Sequence, residues 1–276
     1  CQPLAAAARS GRTAGRCLMR RNVADILGIG AQRAMTTWLH QLLQAHPGVS
    51  SFPDFSPVTS SNKEAHYWDW NHRRGEAWYR TLMRPLGDAM KSLDITPEYA
   101  FLGDEALDEC KRLSPDARVI YLLRDPLARA VSALRMRTLW ASDHAPAEAI
   151  RLTMGPEFLD RCQQAALHDH GAYAANLRRW RARYPDLLVM NVEAIIADPD
   201  IALDRILTHC ALPAPDPETL ARLQQRARNR VWATPAYALS PDCLDFLDGL
   251  TWADRRAIAT EGFTFTEGTC LRGARP

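Results

Sequence analysis

Val23-Ala24-Asp25-Ile26-Leu27-Gly28-Ile29-Gly30-Ala31-Gln32-Arg33-Ala34-Met35-Thr36-Thr37-Trp38-Leu39-His40-Gln41-Leu42-Leu43 is the stretch whose reading decides the fold. Val23 to Ile29 is a short apolar run broken by Gly28 and Gly30, as in a buried strand, and Thr37 to Leu43 continues at helical spacing. His46-Pro47-Gly48 stops the helix. Strand, glycine-led loop and helix together make a phosphate cradle, because backbone N–H groups converge at the helix start and the helix dipole favours an anion. Gln32, Arg33, Ala34, Met35, Thr36, Thr37 and Trp38 are the candidate cradle residues, with Arg33 as a fixed cation and the two threonines as hydroxyl donors. The competing reading is an ordinary strand, turn and helix whose threonines only cap.

Further along, Arg118-Val119-Ile120-Tyr121-Leu122-Leu123 is a continuous apolar run of the kind buried on both faces in parallel sheets. Arg124 stands at its carboxyl end, Asp125 can N-cap the next helix, and Pro126 suits that helix's first position. Tyr99 to Gly103 and Leu187 to Val192 are further expected strands. Helices are expected around Glu76 to Met83, from Leu127 past Arg137, through Tyr173, Leu177, Trp180 and Tyr184, and after Pro199, with a loop from Ser50 to Asn62. Strands alternating with helices predict an α/β fold, a P-loop-like three-layer sandwich with a central parallel sheet flanked by helices. Residues 23–276 form the expected domain, preceded by a disordered or targeting extension over residues 1–22.

Composition limits the function classes. The chain has 276 residues, 47% hydrophobic and 24% charged, as in a globular protein with a real core. A net charge of +2 gives no case for nucleic acid, and no apolar run approaches the roughly 20 residues that span a bilayer. Seven scattered cysteines, never spaced as CxxC, argue against a zinc site. Together with the absence of an anchor they point to a reducing, cytoplasmic setting, with the Arg-rich extension through Arg21 as a targeting alternative leading to the Golgi in a eukaryote. The triphosphatase motif GxxxxGK[ST] is not met, since no Gly-Lys pair precedes Thr36, and no convincing strand ends in a magnesium-binding Asp. A P-loop kinase is therefore the weaker enzyme reading, and no metal is expected.

Ile26 to Leu39, followed by Ala45-His46-Pro47, resembles the 5′-phosphosulfate-binding segment of sulfotransferases that use 3′-phosphoadenosine 5′-phosphosulfate (PAPS). That family usually has Lys at the position of Arg33 and Gly at that of Met35; Gly permits positive φ and close approach to an anion, so Met35 is the real departure. Arg124-Asp125-Pro126-Leu127-Ala128-Arg129-Ala130-Val131-Ser132 resembles the segment in which Arg and Ser hold the 3′-phosphate. Lys63-Glu64-Ala65-His66-Tyr67-Trp68-Asp69 resembles the Lys-Glu-x-His segment of the carbohydrate, heparan-sulfate-type branch, where Glu is the proposed base. Gly171-Ala172-Tyr173 and the following helix also resemble the family, with Tyr173 and Trp180 expected in the core, while the Cys270–Pro276 end faintly matches a basic loop through Arg272 and Arg275.

The resemblance implies sulfuryl transfer from PAPS, leaving 3′-phosphoadenosine 5′-phosphate (PAP), to a hydroxyl or amine of a carbohydrate or small metabolite. On it, Glu64 is the base with Lys63 as electrostatic helper, and His66 is a rival base or a buried structural histidine. Arg33, Thr36 and Thr37 hold the 5′-phosphosulfate, Arg124 and Ser132 hold the 3′-phosphate, and Trp38 stacks on adenine or packs in the core. The alternatives are a degenerate nucleotide-binding relative and an interaction module on the same sheet. Oligomeric state is not legible.

Overall fold

In a computed structural model, which describes residues 21–154, 157–164, 166–229 and 237–265, the chain begins with strand β1 (Ile26–Gly30), buried at every position. Helix α1 (Thr36–Gln44) follows, then β2 (Val49–Ser51), α2 (Gly75–Leu82), β3 (Lys91–Ile95), α3 (Asp104–Leu113) and β4 (Arg118–Leu123). The second half is mostly helical: α4 (Pro126–Ala141), α5 (Pro146–Arg151), α6 (Glu157–Gln164), α7 (Leu167–Gly171) and α8 (Tyr173–Arg183) lead to β5 (Leu188–Asn191). After it come α9 (Val192–Ala197), α10 (Pro199–His209), α11 (Pro217–Arg228) and α12 (Pro241–Thr260).

The five strands form one parallel sheet in the order β2-β3-β1-β4-β5, flanked by helices. This is the expected P-loop-like α/β architecture. β1 lies at the centre, with Ile26 opposite Leu93 of β3 on one side and Arg118 of β4 on the other. Strand ends on either side of such a reversal in strand order open a crevice, and ligands of open α/β sheets bind there. Gly28 permits the close β1–β3 contact, since a Cβ there would lie 2.8 Å from Ile95 Cγ2.

The main core packs Ile26, Leu27, Ile29, Leu39, Val119 and Leu122 about the sheet, each fully buried. Burying one such side chain contributes about 1.5–3 kcal/mol. A smaller cluster of Val131, Leu134, Leu139, Leu167, Cys243 and Leu247 joins α4, α7 and α12. Cys110, Cys162, Cys210 and Cys243 are buried free thiols.

The structure departs from the sequence reading in two places. Tyr99 to Gly103 is not a strand: Pro97–Phe101 is a 3-10 helix opened by its proline. The strand beside β1 is instead Lys91–Ile95, whose polar Lys91, Ser92 and Asp94 disguise it. Asp94 is tolerated because it accepts hydrogen bonds from Ala65 N–H, Thr96 Oγ1, Tyr79 OH and Tyr99 OH, at 3.2, 2.7, 2.8 and 3.1 Å. A strand therefore does end near an Asp, but four protein donors occupy that carboxylate. The expected loop from Ser50 begins one strand late, because β2 takes up Ser50 and Ser51. The extension through Arg20 and the tail holding Arg272 and Arg275 lie outside the described residues.

Candidate active site

The loop after β1 is fastened to the neighbouring strand, with Ala31 N–H donating to Leu122 O of β4 at 2.8 Å. Gly30 has φ 140, and a Cβ there would meet Pro97 O at 2.9 Å, so this corner admits only glycine. Arg33 and Met35 both adopt left-handed backbone, at φ 69 and φ 63. Met35 is the N-cap of α1 and no side chain caps the helix, so its first-turn N–H groups point at the loop. The position expected to favour glycine does have the glycine conformation, and a Met holds it. Ala34 is buried with its N–H bonded to Ala31 O at 3.0 Å.

Arg33 and Ser132, taken from motifs 99 residues apart, meet directly: Arg33 Nε donates to Ser132 Oγ at 3.1 Å. Arg124 Nη1 donates to the Arg33 carbonyl at 3.1 Å. Burial, and then the neighbouring Arg124 charge, lowers the Arg33 pKa; Arg124 is lowered by burial against the pull of Glu193. Two partly buried guanidiniums beside an uncapped helix start make a strongly anion-seeking spot. Asp125 offsets part of the Arg124 charge, and its carboxylate also caps α4 through Ala128 N–H at 2.8 Å, as the sequence predicts. Of the two roles open to Trp38, the structure shows packing: the ring is 1% exposed and its Nε1 donates to Ala227 O at 3.0 Å. Met35 lines a neighbouring cavity of about 200 Å³ with Ile195, Ile196, Pro199 and Ala227.

The segment Lys63 to Trp70 lies along the carboxyl end of β3. Ile95 N–H donates to Lys63 O at 2.9 Å, and Tyr67 N–H donates to Tyr99 OH at 2.7 Å. Lys63 Nζ donates to Glu64 Oε1. His66 Nε2 lies 3.3 Å from Glu64 Oε2 and its Nδ1 2.7 Å from Asp69 Oδ2. Burial pushes the Glu64 carboxyl up, but the charge of Lys63 and the His66 hydrogen bond outweigh it and hold the pKa at about 2. Burial opposes protonation of His66, yet the bonds to Asp69 and Glu64 raise its pKa to about 9. His66 is therefore held as an imidazolium near neutrality, the cationic partner of Glu64 and Asp69.

Glu98, to which the sequence drew no attention, links the two halves. Its Oε1 accepts from Gln32 Nε2 of the phosphate loop at 3.3 Å, and its carboxylate, the Glu64 carboxylate and the His66 ring lie within 4.8 Å of one another. Burial and the Glu64 charge raise its pKa. This trio also has the makings of a cation site, a grouping the sequence did not suggest, although both His66 nitrogens are already engaged by carboxylates. Two buried histidines border the crevice: His40, held to about 4 by burial and by Lys63, and His170, pushed down by burial with its Nε2 3.9 Å from Glu98. Tyr173 and Trp180 are fully buried, as expected of core residues.

The model of the sulfotransferase family matches residues 25–216, which span both phosphate-facing motifs and the Lys63–Glu64 segment. The chain belongs to the sulfotransferase family. Heparan sulfate glucosamine 3-O-sulfotransferase 6 of Homo sapiens is 30% identical over 192 residues, covering 68% of this chain and 52% of that protein. Heparan sulfate glucosamine 3-O-sulfotransferase 3B1 of Homo sapiens is 28% identical over 180 residues, covering 64% of this chain and 43% of its own length. The chain thus spans about half the length of the curated relatives it matches. Among solved structures, a sulfotransferase from Alicyclobacillus acidocaldarius superposes with a TM-score of 0.61 at 18% identity, covering 86% of this chain and 95% of that one. Sulfotransferase STF9 from Mycobacterium avium gives 0.55 at 14% identity, with coverage of 90% and 78%. Both share the fold.

These relatives correct the cytoplasmic expectation, because the similar heparan sulfate sulfotransferases are Golgi enzymes. Scattered cysteines were a weak guide, since a buried thiol such as Cys110, pushed up to about 12 by burial, is inert in either compartment. Among the described residues of this sulfotransferase, no helix is long and apolar enough to cross a membrane.

Proposed function

We propose that this sulfotransferase moves a sulfuryl group from PAPS to a hydroxyl or amine of a carbohydrate. The acceptor oxygen or nitrogen forms a bond to sulfur as the bond between sulfur and the 5′-phosphate oxygen breaks. The acceptor proton passes to Glu64, and the leaving PAP keeps the bonding electrons. Such transfers run through loose, in-line transition states, so positioning and charge neutralisation carry the catalysis. Arg33, Thr36, Thr37 and the uncapped start of α1 hold the phosphosulfate and meet the charge growing on the leaving phosphate. Arg124 and Ser132 hold the 3′-phosphate, and Lys63 steadies the Glu64 carboxylate.

The observation that carries the reading is the convergence of Arg33, Ser132 and Arg124 beside an uncapped helix, with Glu64 joined to the same crevice through Glu98 and Gln32. The carbohydrate acceptor is favoured by the similarity to heparan sulfate sulfotransferases. Calorimetric titration with PAP, beside ATP and magnesium, tests the donor site. PAP binding should exceed ATP binding, and Arg124→Ala should weaken it about 10- to 100-fold, the loss of a hydrogen bond to a charged group. A folded protein that ignores PAP sinks the proposal. Glu64→Gln should bind PAP normally but lose about 100-fold or more in turnover, and full turnover would remove Glu64 as the base.

A further inference from the structure

Trp70 is an exposed aromatic beside the candidate base. Its indole stacks on the His66 ring with centroids 3.4 Å apart and an interplanar angle of 5°, and His66 is the group bonded to Glu64. One face of the indole thus covers a buried imidazole, while the residue remains 60% exposed. Its placement is tightly held. The next residue, Asn71, donates from Nδ2 to Val58 O at 2.8 Å and Ala65 O at 2.9 Å, tying the platform to the Ser50–Asn62 loop and to the Lys63–Glu64 segment.

We propose that the outer face of Trp70 is an acceptor subsite, which seats the sugar ring adjoining the one that is sulfated. The inference rests on the sulfotransferase reading above and adds the size of the acceptor. A pyranose face packs on an indole at an ordinary carbon–carbon contact of about 3.5–4 Å. With the indole already one stacking distance from His66, the seated ring lies about 7 Å above the imidazole plane. That exceeds a hydrogen bond from Glu64, so the seated ring is not the one that reacts. The acceptor is therefore at least a disaccharide.

The test compares binding of methyl β-cellobioside, methyl β-glucoside and a sulfated heparin-type disaccharide to PAP-treated protein, by saturation-transfer NMR and by acceptor KM. The neutral disaccharide should bind about tenfold tighter than the monosaccharide. Trp70→Ala should erase that advantage with PAP affinity unchanged, and Trp70→Phe should keep most of it. A Trp70 that only supports His66 would lower kcat for both sugars and leave their ratio intact, which overturns the proposal. Tighter binding of the sulfated disaccharide, unaffected by Trp70→Ala, also overturns it. Because sugar binding is read directly, a protein that failed to bind PAP but bound the disaccharide through Trp70 would support the subsite and remove the sulfotransferase reading.

Discussion

Replacing His66 by glutamine isolates the charge arrangement around the candidate base. In the folded protein His66 titrates at about 9, against an ordinary value of 6.5, because its bonds to Asp69 and Glu64 outweigh the cost of burial. A group whose pKa is raised by folding stabilises the fold below its unfolded value and loses that contribution as pH rises through the folded one. The raised value corresponds to roughly 3 kcal/mol at pH 6, falling to about 0.5 kcal/mol at pH 9. Urea unfolding of wild type and His66→Gln across this range gives the difference directly. The subtraction matters because Cys110, Cys162 and Cys210, pushed up to about 12 by burial, also lose stability at alkaline pH in both proteins. The difference should shrink by about 2–3 kcal/mol between pH 6 and pH 9. A difference that stays flat or grows would refute the imidazolium, and with it the account of why the Glu64 carboxyl is held at about 2.

Two further outcomes follow from the same geometry. Lys63→Ala removes the ammonium that does most to offset burial at Glu64, so the Glu64 pKa should rise from about 2; a carboxyl-carbon NMR titration that stays near 2 would count against the pairing. At position 35, glycine should leave the protein about 1 kcal/mol more stable than alanine in urea melts, since both lack the thioether and only glycine accepts φ 63 without cost. Equal stabilities would show that the loop does not hold this residue in left-handed backbone.

Much of the site is legible as local pattern. The apolar run ending at Gly30, the polar loop that follows and the helix from Thr36 lie in one stretch, and hydrophobic periodicity reports such elements well. The β4 strand, the Asp125 cap and Pro126 are equally local. β3 was hidden because its Asp94 is compatible with a buried strand only when Tyr79, Thr96 and Tyr99 supply donors, and no window of sequence shows those partners together.

The sequence by itself determined the residue types that the proposed chemistry uses: a cation at position 33, an arginine at the end of β4, a carboxylate beside Lys63, and the alternation of strands and helices that makes a parallel sheet. Tertiary structure alone decided which of them share a crevice and in what ionisation state. Arg33 meets Ser132 because β1 and β4 are neighbours in the sheet, and Glu98 joins Gln32 to Glu64 because the 3-10 helix after β3 turns back over the loop. The pKa values of Glu64 and His66 then follow from burial and from partners a few ångströms away, quantities that arise only when distant segments are packed together.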